Sequence, residues 1–165
     1  MLEVKRPLIV MTPKSLLRSA DAACNVEDLT SGQFNTVLED SYGSGGKVEH
    51  VVFCSGKVFY DLRKTVESLD NVNVKIIRVE QLYPFPQFEL KKALKDIEAK
   101  SYTWVQEEPR NMGAWFYMEP YLRQKFSIDV KYVGRELSAS TATGSAKHHI
   151  IERDRFLSEL VGILS

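Results

Sequence analysis

At 165 residues, with 22 Lys+Arg balanced by 22 Asp+Glu, the chain carries no net charge. It therefore presents no basic field to nucleic acid or to an anionic membrane surface. Its 44% hydrophobic and 27% charged composition is that of a soluble globular protein, and no apolar run approaches the roughly 18 residues of a membrane span. The first eleven residues hold too short an apolar run for a secretory signal. The length suits a single domain over residues 1–165. Cys24 and Cys54 match no CxxC or zinc spacing and read as reduced, packing thiols.

In chain order, residues 6–11 form a short apolar run, read as a strand, which Thr12-Pro13 ends. Thr12 is placed to cap a short helix with Pro13 at its first position. Asn25 is a second N-cap, with Glu27 and Asp28 in the first turn where the helix dipole favours acids. Residues 33–38 suggest a short extended piece, and the glycine- and serine-rich residues 40–47 a flexible loop. Residues 48–54 are a clear strand. Residues 57–69 then put Val58, Phe59, Leu62, Val66 and Leu69 on one helical face. A strand over 72–79 leads to a corner stiffened by Pro84 and Pro86. A helix follows over 87–100, with Leu90, Ala93, Leu94 and Ile97 inward.

The next strand covers 102–106, and a polar corner, Gln106 to Asn111, leads into a helix from Asn111. That helix carries Met112, Trp115, Phe116, Leu122 and Phe126, with Pro120 expected to kink it or to start a second segment. Residues 128–133 are a further strand and 134–145 a small-residue loop. A last amphipathic helix over 146–164 buries Ile150, Ile151, Leu157, Leu160, Val161 and Leu164. Alternation of strand and helix predicts an α/β fold, a mainly parallel sheet with helices on both faces and right-handed crossovers.

The polar corner is the first place to look for chemistry, because sites in open α/β sheets form at strand carboxyl ends. Glu107 and Glu108 beside Arg110 could serve as general acid and base or hold magnesium. Adjacent residues in extended chain point to opposite faces, however, and acids near a helix start are favoured by its dipole. A structural or interdomain salt-bridge role is the better reading, and Pro109 fixes the corner by holding Glu108 out of the α region.

Cys54-Ser55-Gly56-Lys57 joins a strand to a helix, where free amides could hold a phosphate. The P-loop pattern is absent, so Ser55 reads as an N-cap and Gly56 as the tight turn. His50 lies in a strand, oriented by packing. His148 and His149 are adjacent and share no helical face, so no metal set forms. No GxSxG elbow exists. Arg135, Lys147 and the hydroxyl-rich residues 138–145 suit an anion or, more commonly, a neighbouring domain. Neither GxGxxG nor a GDG motif of the kind that holds thiamin diphosphate with magnesium is present.

Several stretches together resemble one family. They are RPLIVMTPKSLLR from Arg6, CSGKVFYDL from Cys54, IRVEQLYPFP from Ile77, WVQEEPRNMGAW from Trp104, and YVGRELSAS from Tyr132 continuing into TGSAKHH. In this order they are similar to the C-terminal region of the E1 component of the 2-oxoglutarate dehydrogenase complex. Residues 19–47 match least.

The resemblance implies a transketolase-like C-terminal domain, three-layer α/β/α, with a five-stranded mixed, mostly parallel sheet and one antiparallel strand. It implies a parent homodimer that decarboxylates 2-oxoglutarate with thiamin diphosphate and Mg2+. The succinyl group passes to the lipoyl group of the E2 succinyltransferase in the citric acid cycle. The cofactor would be bound by upstream E1 domains, leaving this fragment inactive alone, with no catalytic, cofactor or metal residue of its own. Glu107, Glu108, Arg110 and Arg135 become candidates for docking on those domains or on the second subunit. The setting would be bacterial cytoplasm or mitochondrial matrix, with neither nucleic acid nor membrane as partner.

Two alternatives accompany this reading. One is the same domain of a sister E1 acting on 2-oxoadipate or a branched-chain 2-oxo acid. The other is a regulatory module for an adenine nucleotide or acetyl-CoA. In actinobacterial relatives the regulatory positions match Gln33, Thr36, Gln81, Phe88 and Glu89. Gln81 agrees and Thr36 keeps a hydroxyl. The basic residues are missing, so Gln81 and Thr36 are the candidate nucleotide contacts.

Overall fold

The computed structural model describes residues 7, 9–10, 12–43 and 45–165. The strand expected over 6–11 falls largely outside them. The chain divides into two compact units, Met1–Gln33 and Phe34–Ser165.

The described residues of the first unit form short turns. Two 3-10 turns, Lys14–Leu16 and Ala20–Ala22, precede helix α1, Val26–Thr30. Pro13, not Thr12, stands at the N-cap of the first turn. Asn25 opens α1 as expected, and Asp28 Oδ2 accepts its backbone N–H at 3.0 Å. Cys24 is exposed rather than packed, while Cys54 is buried.

The second unit holds a five-stranded sheet in the order β1-β3-β2-β4-β5. The strands are β1 Val37–Tyr42, β2 His50–Cys54, β3 Val74–Val79, β4 Ser101–Pro109 and β5 Lys131–Arg135. β1 is antiparallel to β3, and the other pairings are parallel. The sheet is thus mixed and mostly parallel. Helices α2 (Val58–Glu67), α3 (Gln87–Ala93), α4 (Trp115–Phe126) and α5 (Ala146–Leu164) connect and cover it. Among the described residues no helix is long and apolar enough to cross a membrane.

Strand parity sorts the core into two layers. Val52, Cys54, Ile76, Val105 and Val133 cluster with Leu62 and Val66 of α2 and with Phe156 and Leu160 of α5. Val51, Phe53, Ile77 and Trp104 cluster with Leu90 of α3 and with Trp115, Met118 and Leu122 of α4. Helices therefore sit on both faces. β2 is buried along its whole length, which is why it reads as an unbroken apolar run instead of an alternating one.

Several boundaries differ from the sequence reading, each for a local reason. β1 begins at Val37 and runs on to Tyr42, into the stretch read as flexible, because antiparallel pairing with β3 carries it there. α3 ends at Ala93, short of Lys100. Lys75 Nζ donates to the Ala93 carbonyl at 2.8 Å, and Asp96 is left-handed at φ 60°.

α4 starts at Trp115, four residues late, because residues 110–114 are held in turns and a bend. It continues through Pro120 as one helix. The carbonyl that Pro120 leaves without a donor belongs to Phe116, which is exposed and open to water. Ser127 takes a left-handed C-cap at φ 57°, which delays β5 to Lys131. Val130 still joins the core from outside the strand. On α5 the buried residues are Phe156, Leu160 and Leu164, whereas Ile150 and Ile151 are exposed. Phe116 is likewise exposed.

Candidate functional site: the carboxyl-end corner

The carboxyl ends of β2, β4 and β5 bring the corner together. β4 does not stop at Gln106 but extends to Pro109, with an irregularity in its pairing to β5 between Gln106 and Pro109. β2 pairs with β4 only as far as Trp104, so the Glu107-Glu108 segment overhangs the central strand. Lys57, at the start of α2, reaches across and its Nζ donates to Glu107 Oε1 at 2.6 Å. The helix begins at Val58 with Lys57 as N-cap and no side-chain cap, and Gly56 turns at φ 71°. Ser55 is therefore not the cap, and the lysine of that turn serves the neighbouring strand.

Beneath the overhang lies Gln106, which is buried. Its Oε1 accepts the Trp104 indole N–H at 2.9 Å and the Trp115 backbone N–H at 3.0 Å. Its Nε2 donates to the carbonyls of Met112 at 2.7 Å and Pro109 at 3.2 Å. One amide thus satisfies the turn between β4 and α4. Gly113 completes that turn at φ 67°. A Cβ there would meet Gln106 Nε2 at 2.9 Å, so the left-handed residue also has to be small.

The turn is stitched to β5 as well. The Arg110 backbone N–H donates to the Arg135 carbonyl at 3.0 Å. The Tyr132 hydroxyl donates to the same carbonyl at 2.8 Å and approaches the Glu108 carbonyl at 3.2 Å. Burial pushes the Tyr132 phenol up to about 12, which keeps it a donor. The Arg110 guanidinium lies 5.4 Å from the centre of the Tyr132 ring, a cation–π distance. Asn111 binds the Ser138 backbone twice, Nδ2 to the carbonyl at 2.9 Å and Oδ1 from the N–H at 3.1 Å. This fixes the loop after β5.

Arg135 is buried, with its Nε 2.7 Å from Glu152 Oε2 on α5. Glu152 Oε1 is 3.4 Å from His148 Nε2. Glu107, Glu108, Arg135, Thr141, Thr143 and His149 border a shallow polar cleft of about 230 Å3.

The expected residues are thus brought to one place, in different states. Glu107 is bound by Lys57, and Arg135 is bound inside the domain by Glu152. Glu108 and Arg110 are exposed, and no side-chain ion pair of Glu108 is present among the described residues. A general acid or base must lie within hydrogen-bond reach of the proton it moves. Here Glu107 is held by the Lys57 ammonium and Glu108 faces solvent. Sequence reading missed Gln106, Tyr132 and Glu152. The signal for Gln106 was a polar residue closing a run of aromatic and β-branched residues, where a buried amide must find partners.

Gln81 and Thr36 also come together, through backbone. The Thr36 carbonyl accepts the Glu80 and Gln81 N–H groups at 2.9 and 3.1 Å. The Gln81 side-chain Nε2 is turned to the Pro84 carbonyl at 3.0 Å. Phe88 and Glu89 are exposed at the start of α3.

Comparison with known proteins matches residues 23–161 to the family described as 2-oxoglutarate dehydrogenase C-terminal. The 2-oxoglutarate dehydrogenase E1 component of Geobacillus kaustophilus is 46% identical over 94% of this chain and 17% of its own length. That of Cupriavidus necator is 43% identical over 88% of this chain and 16% of its own. The oxoglutarate dehydrogenase of Buchnera aphidicola is 40% identical over 97% and 18%. The chain thus spans less than a fifth of these relatives. Among solved structures, a 2-oxoglutarate:ferredoxin oxidoreductase from Magnetococcus marinus aligns over 79% of this chain and 21% of its own, at a TM-score of 0.45 and 12% identity, too distant to argue from. By its sequence match across residues 23–161, the chain belongs to the 2-oxoglutarate dehydrogenase C-terminal family.

Proposed function

We propose that this chain is the C-terminal domain of a 2-oxoglutarate dehydrogenase E1 component, and that its own role is structural and docking. The observation that carries the reading is the match of nearly the whole chain to one part of proteins bearing that name. The parent protein would decarboxylate 2-oxoglutarate and pass the succinyl group to an E2 lipoyl group, acting as a dimer. The relatives named above are bacterial, and a cytoplasmic setting goes with that.

Thiamin diphosphate and Mg2+ find no fitting donor set among the described residues. Among the described residues no group of three or more His, Cys, Asp or Glu could hold a metal ion, and the chain has no GDG motif. We therefore assign cofactor binding to the rest of the parent protein and derive no chemical step from this chain. The exposed pair Glu108 and Arg110, on a corner made rigid from below, suits a docking contact. Few side chains need ordering when a partner lands there.

The test uses the full-length protein that contains this chain. Supplied with thiamin diphosphate and Mg2+, it should release carbon dioxide from 2-oxoglutarate. The double substitution Glu108→Ala/Arg110→Ala should weaken assembly in sedimentation while leaving turnover per assembled dimer near wild type. A full-length protein that prefers 2-oxoadipate or a branched-chain 2-oxo acid would move the assignment to a sister enzyme.

A further inference from the structure

A second concavity lies along α3, towards the amino end of β4 and away from the carboxyl-end corner. Its volume is about 570 Å3, within the roughly 300–1,000 Å3 typical of small-molecule sites. Leu94, Ile97, Tyr102, Phe126 and Ile128 form its apolar walls. The one polar atom among those side chains is already used. The Tyr102 hydroxyl accepts the Ala99 N–H at 3.2 Å and donates to the Ile97 carbonyl at 3.3 Å. Phe88 stands at the rim, 84% exposed.

The rest of the lining is cationic: Lys91, Lys92 and Lys95. Lys91 and Lys92 have no ion pair among the described residues, and Lys95 reaches only its exposed neighbour Asp96, at 4.0 Å. Lysines late in a helix complement its dipole, which accounts for Lys91 and Lys92 on their own. It does not account for an apolar hollow beneath them. Lysine stems lie along apolar surface while their ammonium groups stay at its edge. The combination is a greasy floor, no free hydrogen-bonding group within it, and charge of one sign around it.

We propose that this cleft binds an anionic amphiphile, a carboxylate on a hydrocarbon body, with the tail over Leu94, Ile97 and Ile128 and the head among Lys91, Lys92 and Lys95. The inference stands apart from the role of the corner and does not depend on it. A short anion lacks the apolar burial, and a neutral alcohol of equal length lacks the ionic partner. Affinity therefore needs both parts of the molecule.

Calorimetry of the full-length protein with decanoate, 1-decanol and acetate tests this. One saturable decanoate site per chain is expected, with decanol and acetate each weaker by about ten-fold or more. Lys91→Gln/Lys92→Gln should weaken decanoate by about ten-fold and leave decanol unchanged. Phe88→Ser should weaken both decanoate and decanol. All three positions are exposed, so these variants keep the fold. Decanoate binding that does not saturate, that equals decanol, or that is the same in the lysine variant overturns the proposal.

Discussion

Gln106 Oε1 accepts the backbone N–H of Trp115, the first residue of α4, at 3.0 Å, and the same atom accepts the Trp104 indole N–H at 2.9 Å. The amide thus ties the end of the central sheet to the start of a helix. Replacing it strands several buried polar groups at once. Gln106→Leu fills a similar volume but leaves the Trp104 and Trp115 donors and the Met112 carbonyl without their partner. Each such group costs about 1–3 kcal/mol, so the loss should be roughly 3 kcal/mol or more, read as a lower urea midpoint. The exposed neighbour change Glu108→Ala should stay within about 0.5 kcal/mol. Equal effects of the two would refute the hub.

Gly113→Ala should fail at the same hub by another route. The position is left-handed at φ 67°, and the added methyl would meet Gln106 Nε2 at 2.9 Å. The strained backbone alone costs about 1 kcal/mol, and the displaced amide adds to it. The two effects share one side chain. A double-mutant cycle of Gly113→Ala with Gln106→Leu should therefore be non-additive, the second change costing less in the background of the first. Additivity would mean that the contact is not felt.

Much of the fold could be read in advance because it rests on periodicity. Val51 to Cys54 gave a buried strand, and α2 and α5 were placed within a residue or two of their observed ends. What could not be read depended on partners distant in sequence. β4 runs through Glu107, Glu108 and Pro109 because β5 pairs beside it, although acids and proline argue locally for a loop. The late start of α4 is set by Gln106, and the early end of α3 by Lys75. At the corner the residue types were visible, but Lys57 is fifty positions from Glu107. Nothing local marks that lysine as the partner.

The Lys57–Glu107 pair gives a sharper test of the corner. Both side chains are about a quarter exposed, so water screens the pair only in part. A double-mutant cycle with Lys57→Met and Glu107→Gln should give a coupling of about 1 kcal/mol, smaller at high salt. In the full-length protein, Glu107→Ala should release the overhang and weaken assembly more than the chemical step. A large loss of turnover with the assembly intact, measured by sedimentation beside a steady-state assay, would instead place Glu107 in the reaction.

His50 is the group through which pH should reach this fold. It is 8% exposed, and its Nδ1 lies 2.8 Å from Ser101 Oγ, across the β2–β4 pairing. Burial moves its pKa below the ordinary 6.5, the Glu49 carboxylate pulls it back up, and Lys100 adds to the lowering. The unfolded chain then binds a proton before the folded one does. Stability from this residue is fully present above about 6.5 and is lost as pH falls towards the lower folded value. Glu49 is held below its own ordinary 4.5 by Lys100, so it keeps its charge between pH 7.5 and 5.5. Urea unfolding at pH 7.5 and 5.5 should show wild type losing roughly 1 kcal/mol or less at the lower pH. His50→Asn should lose less over the same interval while starting from a lower stability. If the two proteins change in parallel, the pH sensitivity comes from elsewhere in the chain.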